Sequence, residues 1–196
     1  MTESVYRQWA QRIRKSDEDA FHELFMASYN PLIRFAYKYV KSTDTAKDLL
    51  QDVYTHLWQI RDRLDEEKSL KALLYQMTKN RCINQVNSHR STRLDDLPLS
   101  AMPVEDGEPE LPDNLDDSDD GELKHQLSKW IELLPRRQRE AFKLSRFEGL
   151  DHHEIAGVLD CAPRTVNNHI VNALKVLRKH LNAWQNKRDS EYSGKA

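Results

Sequence analysis

The sequence predicts an all-α protein of two small helical domains joined by an acidic flexible linker, the C-terminal domain containing a helix-turn-helix. Three observations carry that expectation. Glycine is scarce, 5 in 196 residues, which argues against a turn-rich β architecture. Apolar residues recur at spacings of three and four along most of the chain, the period of one helix face. The third is charge. The net formal charge is only −2, yet residues 91–122 hold 12 acidic residues and 1 basic, while 1–90 hold 15 basic and 12 acidic and 123–188 hold 13 basic and 6 acidic. The expected organisation is a helical domain over 1–92, an acidic Pro-containing linker over 93–122, a helix-turn-helix domain over 123–188 and a disordered tail over 189–196.

Each element follows from local signals. The first fifteen residues contain no apolar run, so no signal peptide is expected, and no stretch approaches the roughly 18 apolar residues of a membrane span. "SDED" reads as a helix start, with Ser16 as N-cap and Asp19 three residues on. Phe21, Leu24, Phe25, Tyr29, Leu32, Ile33, Ala36, Tyr39 and Val40 then form one buried face, with Pro31 marking a kink or junction. Thr43 or Asp44 can cap the next helix, whose inner stripe is Leu49, Leu50, Val53, Leu57, Ile60 and Leu64. A helix over about 70–89 is expected to bury Leu70, Leu73, Leu74, Met77 and Ile83.

The segment "LDDLPLSAMPVEDGEPELPDNLDDSDDGE" holds four of the seven prolines. It cannot bury enough apolar area to offset its ordering entropy, and 95–121 reads as an extended tether. Beyond it, 123–134 reads as one helix, Pro135 opens the next at its first turn, and Gly149 suits a left-handed cap. "DHHE" is a capping box, Asp151 at the N-cap and Glu154 at N3. A short helix to Leu159, the turn Asp160–Cys161–Ala162 and a long helix from Pro163 complete the chain. The inner stripe of that last helix is Val166, Ile170, Ala173, Leu174, Leu177 and Leu181.

Short helix, three-residue turn and longer helix make a helix-turn-helix, whose second helix lies in the major groove and touches base edges with its N-terminal turns. Arg164, Thr165, Asn167, Asn168, His169 and Asn172 supply that face, without a carboxylate among them. Asn can bind adenine bidentately, and Arg or His can donate to guanine acceptors. Arg136, Arg137, Arg139, Lys175, Arg178 and Lys179 are candidate phosphate anchors. The alternative is a helical bundle whose solvated face is basic.

In the N-terminal half, helix 70–90 carries Lys71, Tyr75, Lys79, Asn80, Arg81 and Asn84. Amides and cations beside aromatics suit unstacked bases, and an ordinary amphipathic helix explains the same residues equally well. "DLLQDVYTHLWQ" places Asp48, Gln51, Asp52, Thr55 and Gln59 on one outer face, fit for a basic partner helix or simply wet. No catalytic motif is present: no His-Glu-x-x-His, no phosphate-cradling glycine loop, no Gly-x-Ser-x-Gly. The spacing of His152, His153, Cys161 and His169 matches no zinc pattern. Cys82 and Cys161 stand far apart, which fits a cytoplasmic setting without a disulfide framework. No enzyme activity, cofactor or metal is expected.

"AFHELFMASYNPLIRFAYKYV", "DTAKDLLQDVYTHLWQ" and "SLKALLYQMTKNRCINQV", followed by "LSKWIELLPRRQREAFKLSRFEGLDHHEIAGVL" and "RTVNNHIVNALKVLRKHL", resemble the successive conserved parts of an extracytoplasmic-function (ECF) sigma factor of the bacterial sigma-70 family. The resemblance covers about 17–91 and 123–181. It implies a protein that binds bacterial core RNA polymerase and directs promoter recognition, DNA opening and transcription initiation. By that resemblance Asp48, Gln51, Asp52 and Thr55 grip the polymerase. Lys71, Tyr75, Lys79, Asn80, Arg81 and Asn84, with the loop "DRLDEEKS", attend the −10 element. Arg136, Arg137, Arg164, Thr165, Asn167, Asn168, His169, Asn172 and Lys175 attend the −35 element. The tether resembles the family linker that passes through the polymerase cleft. An anti-sigma factor is an implied partner, and no stable membrane insertion is implied.

The chain departs from the family pattern at Leu70 and Leu73, where Phe and Trp are common. It departs again at the turn, usually Gly, apolar, Ser. Asn167 and His169 replace common cations on the reading helix. The alternative reading is a helix-turn-helix regulator with a helical sensor or dimerisation domain. It differs in binding duplex DNA without polymerase. A metal-dependent nuclease is the third class, and no residue pattern favours it.

Overall fold

The computed structural model describes residues 3–93 and 119–193. The chain divides into two compact units, 1–111 and 112–196. Among the described residues all regular structure is helical: α1 (Glu3–Arg14), α2 (Glu18–Val40), α3 (Thr43–Gln59), a 3-10 turn (Arg61–Arg63) and α4 (Leu70–Arg93) in the first unit, then α5 (Asp119–Glu132), α6 (Arg136–Arg146), α7 (His152–Leu159) and α8 (Pro163–Ser193) in the second.

The first unit packs α2 against α3 and α4, with α1 across α2, the 3-10 turn and α4. Its core is Leu24, Leu32, Ile33, Leu50, Val53, Leu57, Leu74 and their neighbours. Of the stripe expected on α2, Leu24, Leu32, Ile33 and Ala36 are buried while Phe21, Phe25, Tyr29, Tyr39 and Val40 are half-buried; on α3, Leu49, Leu50, Val53 and Leu57 are buried as expected. Pro31 does not interrupt α2, which runs unbroken from Glu18 to Val40. α1 is an element that no sequence signal announces. Its buried residues Tyr6, Trp9, Ala10 and Ile13 do follow the i, i+3, i+4, i+7 helical rule, diluted by arginine and glutamine between them.

The end of α1 moves the next cap from Ser16 to Asp17. Ser16 has φ 63, left-handed, and its N–H donates to the Ile13 carbonyl at 2.8 Å as α1 ends. An N-cap needs extended backbone, so Asp17 takes the role, φ −75 and ψ 107, its carboxylate accepting from the Ala20 N–H. Likewise Ser42, not Thr43 or Asp44, caps α3 and accepts from the Thr45 N–H. On α4 the buried row is Leu70, Leu74, Tyr75, Thr78, Lys79 and Cys82, whereas Ile83 is exposed and Leu73 and Met77 are half-buried. Thr78 enters the core because its hydroxyl donates to the Leu74 carbonyl at 2.8 Å. Burial pushes the Cys82 thiol up to about 12, so it stays protonated and packs as a small apolar group.

The second unit surrounds Trp130, Ile131, Leu134, Phe142, Ala173 and Leu177. α5 starts at Asp119, inside the expected linker. Glu122, in its opening turns, is an acidic residue placed to complement the positive end of the helix dipole. Residues 94–118, the body of the expected tether, lie outside the described residues. α8 continues to Ser193, so 189–193 are helical where a disordered tail was expected. Neither Gly nor Pro interrupts the sequence before Gly194.

Candidate polymerase and nucleic-acid interfaces

Three surfaces collect the candidate residues. On the first, Asp48, Gln51 and Thr55 stand exposed along α3. They line a groove of about 600 Å³ together with Lys47, Gln59 and five aromatic residues, Phe21, Phe25, Tyr29, Tyr54 and Trp58. The rings form one connected set: Phe21–Trp58 at 5.0 Å, Phe21–Tyr54 at 6.2 Å, Phe25–Tyr29 and Phe25–Tyr54 at 4.9 Å. Tyr54 is anchored beneath them. Ser28 donates to the Leu24 carbonyl at 2.6 Å, which leaves the Tyr54 hydroxyl to donate to Ser28 Oγ at 2.8 Å. Burial pushes the Tyr54 phenol up to about 12. Helical period alone assigns Phe21, Phe25 and Tyr29 to the core. They are half-buried, and their open faces make this surface amphipathic. Asp52 is exposed but does not line the groove. It lies 4.0 Å from Arg81 of α4, tying the first surface to the second.

The second surface is α4. Ser69 caps it, its hydroxyl accepting from the Ala72 N–H at 3.3 Å. Asn80, Arg81 and Asn84 are exposed along it. Lys71 is half-buried, with its ammonium 5.5 Å from the Tyr6 ring centroid. Two members of the expected set face inward. Tyr75 is 2 % exposed and packs edge-on against Phe35 at 5.0 Å, and Lys79 is 6 % exposed. Both flank Leu74, Thr78 and Cys82, and the helical phase that buries those three carries 75 and 79 inward with them. A base cannot reach either side chain in this arrangement.

The third surface is the helix-turn-helix. Asp151 and Glu154 form the expected capping box, with the Asp151 carboxylate accepting from the N–H groups of His153 and Glu154 and the Glu154 carboxylate accepting from Asp151 N–H. α7 ends at Asp160, left-handed at φ 55 and ψ 59, a conformation Asp tolerates better than most residues. The Ala162 carbonyl accepts from Thr165 and Val166, but its methyl offers no side-chain cap. Val166, Ile170, Ala173 and Leu177 are buried. That phase turns Arg164, Asn167, Asn168, Asn172 and Lys175 to solvent and leaves Thr165 and His169 half-exposed.

Arg136 and Arg137 flank this unit from α6. Both side chains are mostly exposed, and both lean on Glu140, which is 8 % exposed, at 3.0 and 3.9 Å. Arg137 also donates to the Leu159 carbonyl at 3.3 Å, fastening α6 to the end of α7. Arg139, expected as a phosphate anchor, is instead engaged with Glu132 alongside Lys143. Burial works to raise the Glu132 carboxyl, and these two cations outweigh it and hold it below its ordinary value. Among the described residues no group of three or more His, Cys, Asp or Glu side chains is placed to hold a metal ion, and no helix is long and apolar enough to cross a membrane.

Sequence comparison places these surfaces. Residues 24–92 match Sigma-70 region 2, and residues 124–177 match Sigma-70 region 4. The chain belongs to the sigma-70 family, in its ECF branch. The region 2 match thus spans the groove residues other than Phe21 and nearly all of α4, and the region 4 match spans the helix-turn-helix. Among curated relatives, the ECF RNA polymerase sigma-E factor of Escherichia coli (strain K12) is 27 % identical over 173 residues, covering 85 % of this chain and 89 % of that one. The RNA polymerase sigma-H factor of Pseudomonas aeruginosa is 24 % identical over 187 residues, covering 92 % and 96 %. Among solved structures, CnrH in complex with the cytosolic domain of CnrY aligns with a TM-score of 0.56 at 19 % identity, over 91 % of this chain and 98 % of that one. The sigma factor RpoE of Bartonella quintana, solved with the anti-sigma factor NepR, aligns at 0.55 and 22 %, over 83 % and 96 %. As a sigma factor, the chain directs RNA polymerase to promoters, and its family comprises non-enzymatic initiation factors.

Proposed function

We propose that this sigma factor divides its work among the three surfaces. The α3 groove receives core RNA polymerase. Asp48, Gln51 and Thr55 supply polar contacts, and Phe21, Phe25, Tyr29 and Trp58 supply apolar area for a partner helix bearing both basic and apolar groups. Asp52 contributes from the flank. The exposed side of α4, with Asn80, Arg81 and Asn84, meets the opened −10 strand, and half-buried Lys71 attends it from the start of the helix. α8 enters the −35 major groove with Arg164, Thr165, Asn167, Asn168, His169 and Asn172. Arg136, Arg137 and Lys175 hold the phosphates.

The observation that carries this reading is the outward face of α8 over residues 163–181, amide-rich and free of carboxylate behind a well-capped α7. Such a face suits base edges and avoids repelling phosphate. The protein itself performs no covalent chemistry and works in the cytoplasm. An anti-sigma factor restrains it, a reading supported by the partners named for the structural relatives CnrH and RpoE.

Run-off transcription with purified core polymerase on a genomic promoter library tests the proposal. New, protein-dependent transcripts are the expected result. Identical products with and without the protein on every promoter would sink it. A gel shift adds a second check, since a self-sufficient DNA-binding regulator would shift promoter duplex without polymerase.

A further inference from the structure

The loop 65–69, between the 3-10 turn and α4, carries Asp65, Glu66 and Glu67, three carboxylates in a segment that leads into the helix assigned to the −10 strand. Left alone, they would repel its phosphates. Each has a cation instead. Arg7 reaches Glu67 at 3.0 Å, Arg14 reaches Glu66 at 3.0 Å, and Lys68 lies 3.5 Å from Asp65. Two of those cations come from α1. The same helix adds a bond from Gln11 Nε2 to Glu66 Oε2 at 3.2 Å and one from Arg7 Nε to the Glu66 carbonyl at 3.3 Å.

α1 is firmly seated. It buries Tyr6, Trp9, Ala10 and Ile13. The Trp9 indole donates to Glu23 at 2.8 Å, and Arg12 bridges Asp17 and Glu23. Just past α1, Ser16 accepts from Arg61 of the 3-10 turn at 2.9 Å. Within the loop, Asp65 accepts from the Glu67 N–H at 3.0 Å, and that bond, helped by Lys68, holds the Asp65 carboxyl below its ordinary value. The loop is therefore fixed at its entrance, at its middle and at the α4 cap.

We propose that α1 is a positioning element for DNA opening: Arg7, Gln11 and Arg14 hold Glu66 and Glu67 away from the strand path and fix the shape of the loop that feeds α4. This rests on the assignment of α4 to the −10 strand. The residues act through the loop and touch no base themselves. Single exposed ion pairs contribute little, but here several contacts converge on two adjacent residues, so their effects add on one short segment.

The test uses the full chain with Arg7→Gln and Arg14→Gln combined. In the free protein, hydrogen exchange of amides 65–69 is expected to rise about fivefold while the α3 amides keep their protection. With core polymerase, permanganate reactivity of unpaired thymines is expected to fall about fivefold, with polymerase affinity unchanged, and Arg14→Lys in place of Arg14→Gln restores part of it. Polymerase affinity is read by fluorescence anisotropy. Unchanged loop exchange overturns the proposal, and so does faster loop exchange with undiminished opening. Asn80→Ala with Asn84→Ala separates the underlying assignment. If that pair leaves opening intact while Arg7→Gln/Arg14→Gln lowers it, α4 is not the strand reader, yet α1 still positions the loop.

Discussion

Asn168 and Lys175 are both exposed on α8 two turns apart, and their chemistry separates what each can contribute. A base edge rewards the amide at some sequences and not others. Asn168→Ala is expected to weaken particular promoters by about 1–3 kcal/mol per lost contact. A phosphate rewards the ammonium at every sequence, so Lys175→Ala weakens all promoters alike and lowers the salt slope by about one unit. Binding of the polymerase holoenzyme to a promoter panel at several salt concentrations distinguishes them. Equal losses on every promoter for Asn168→Ala would count against base reading. A second residue-level prediction concerns acid. Asp17 is held below its ordinary 3.8 by Arg12, then by the Ala20 N–H, and Glu23 below its ordinary 4.5 by the Trp9 indole, then by Arg12. Between the folded and ordinary values the unfolded chain binds more protons, so falling pH favours unfolding. The contribution is fully present above about pH 5.5 and is lost as pH falls through the folded values. Asp17→Asn keeps an N-cap oxygen but removes the charge, so its thermal midpoint is expected to fall less between neutral and acid pH than that of the parent. Parallel acid curves for the two proteins would rule this contribution out. At this scale the sequence was legible where polarity and phase agree, as at Asn80 and Asn168. It failed at Tyr75 and Lys79, whose polar tips suggested exposure while the turn of helix set by Leu74, Thr78 and Cys82 carried them inward.

Elements were legible where caps and period reinforce each other. The capping box of α7 and the stripe of α8 needed no tertiary information. α1 was not legible as an element because its apolar residues are few and separated by Arg7, Gln8, Gln11 and Arg12, and its stability comes from packing on α2 and α4 rather than from an isolated signal. The groove aromatics escaped for a different reason. Period tells which face a residue shares, not whether a neighbouring helix covers it fully, so Phe21, Phe25 and Tyr29 read as core until α3 left them half open. The turn between α7 and α8 offers the clearest test of local capping energetics. α8 begins at Pro163, its first turn donates to the Ala162 carbonyl, and the Ala162 side chain accepts nothing. Ala162→Ser places a hydroxyl where the N–H groups of Arg164 and Thr165 lack a side-chain acceptor. It is expected to stabilise the second unit by about 0.5–2 kcal/mol, seen as a higher urea midpoint with an unchanged slope. No gain in midpoint would mean that Pro163, with its preset φ, already supplies what the cap would add.

For the whole chain, a net charge of −2 conceals two opposed populations. Residues 91–122 carry 12 acidic residues and 1 basic, and the two units on either side carry the basic excess. In free solution those anions are tethered to the cations that the proposed DNA surfaces use, at the effective concentration of a short linker. They are expected to compete with phosphate for Arg136, Arg137, Arg164 and Lys175, since screened attraction between exposed charges is not specific. The expected consequence is weak binding of the free chain to duplex DNA. Replacing the nine acidic residues of 95–117 by their amides takes the net charge from −2 to +7 and leaves every described helix untouched. At low salt, near 50 mM, that variant is expected to bind a nonspecific duplex at least about tenfold more tightly than the parent, with a steeper salt slope, the two converging as salt rises. Fluorescence anisotropy of a labelled duplex across a salt series measures both quantities. If affinity and slope are unchanged, the tether's anions do not reach the cations of α6 and α8. Any weakness of binding measured for the free protein would then belong to the reading face itself, where Asn167 and His169 are amide and imidazole rather than cations.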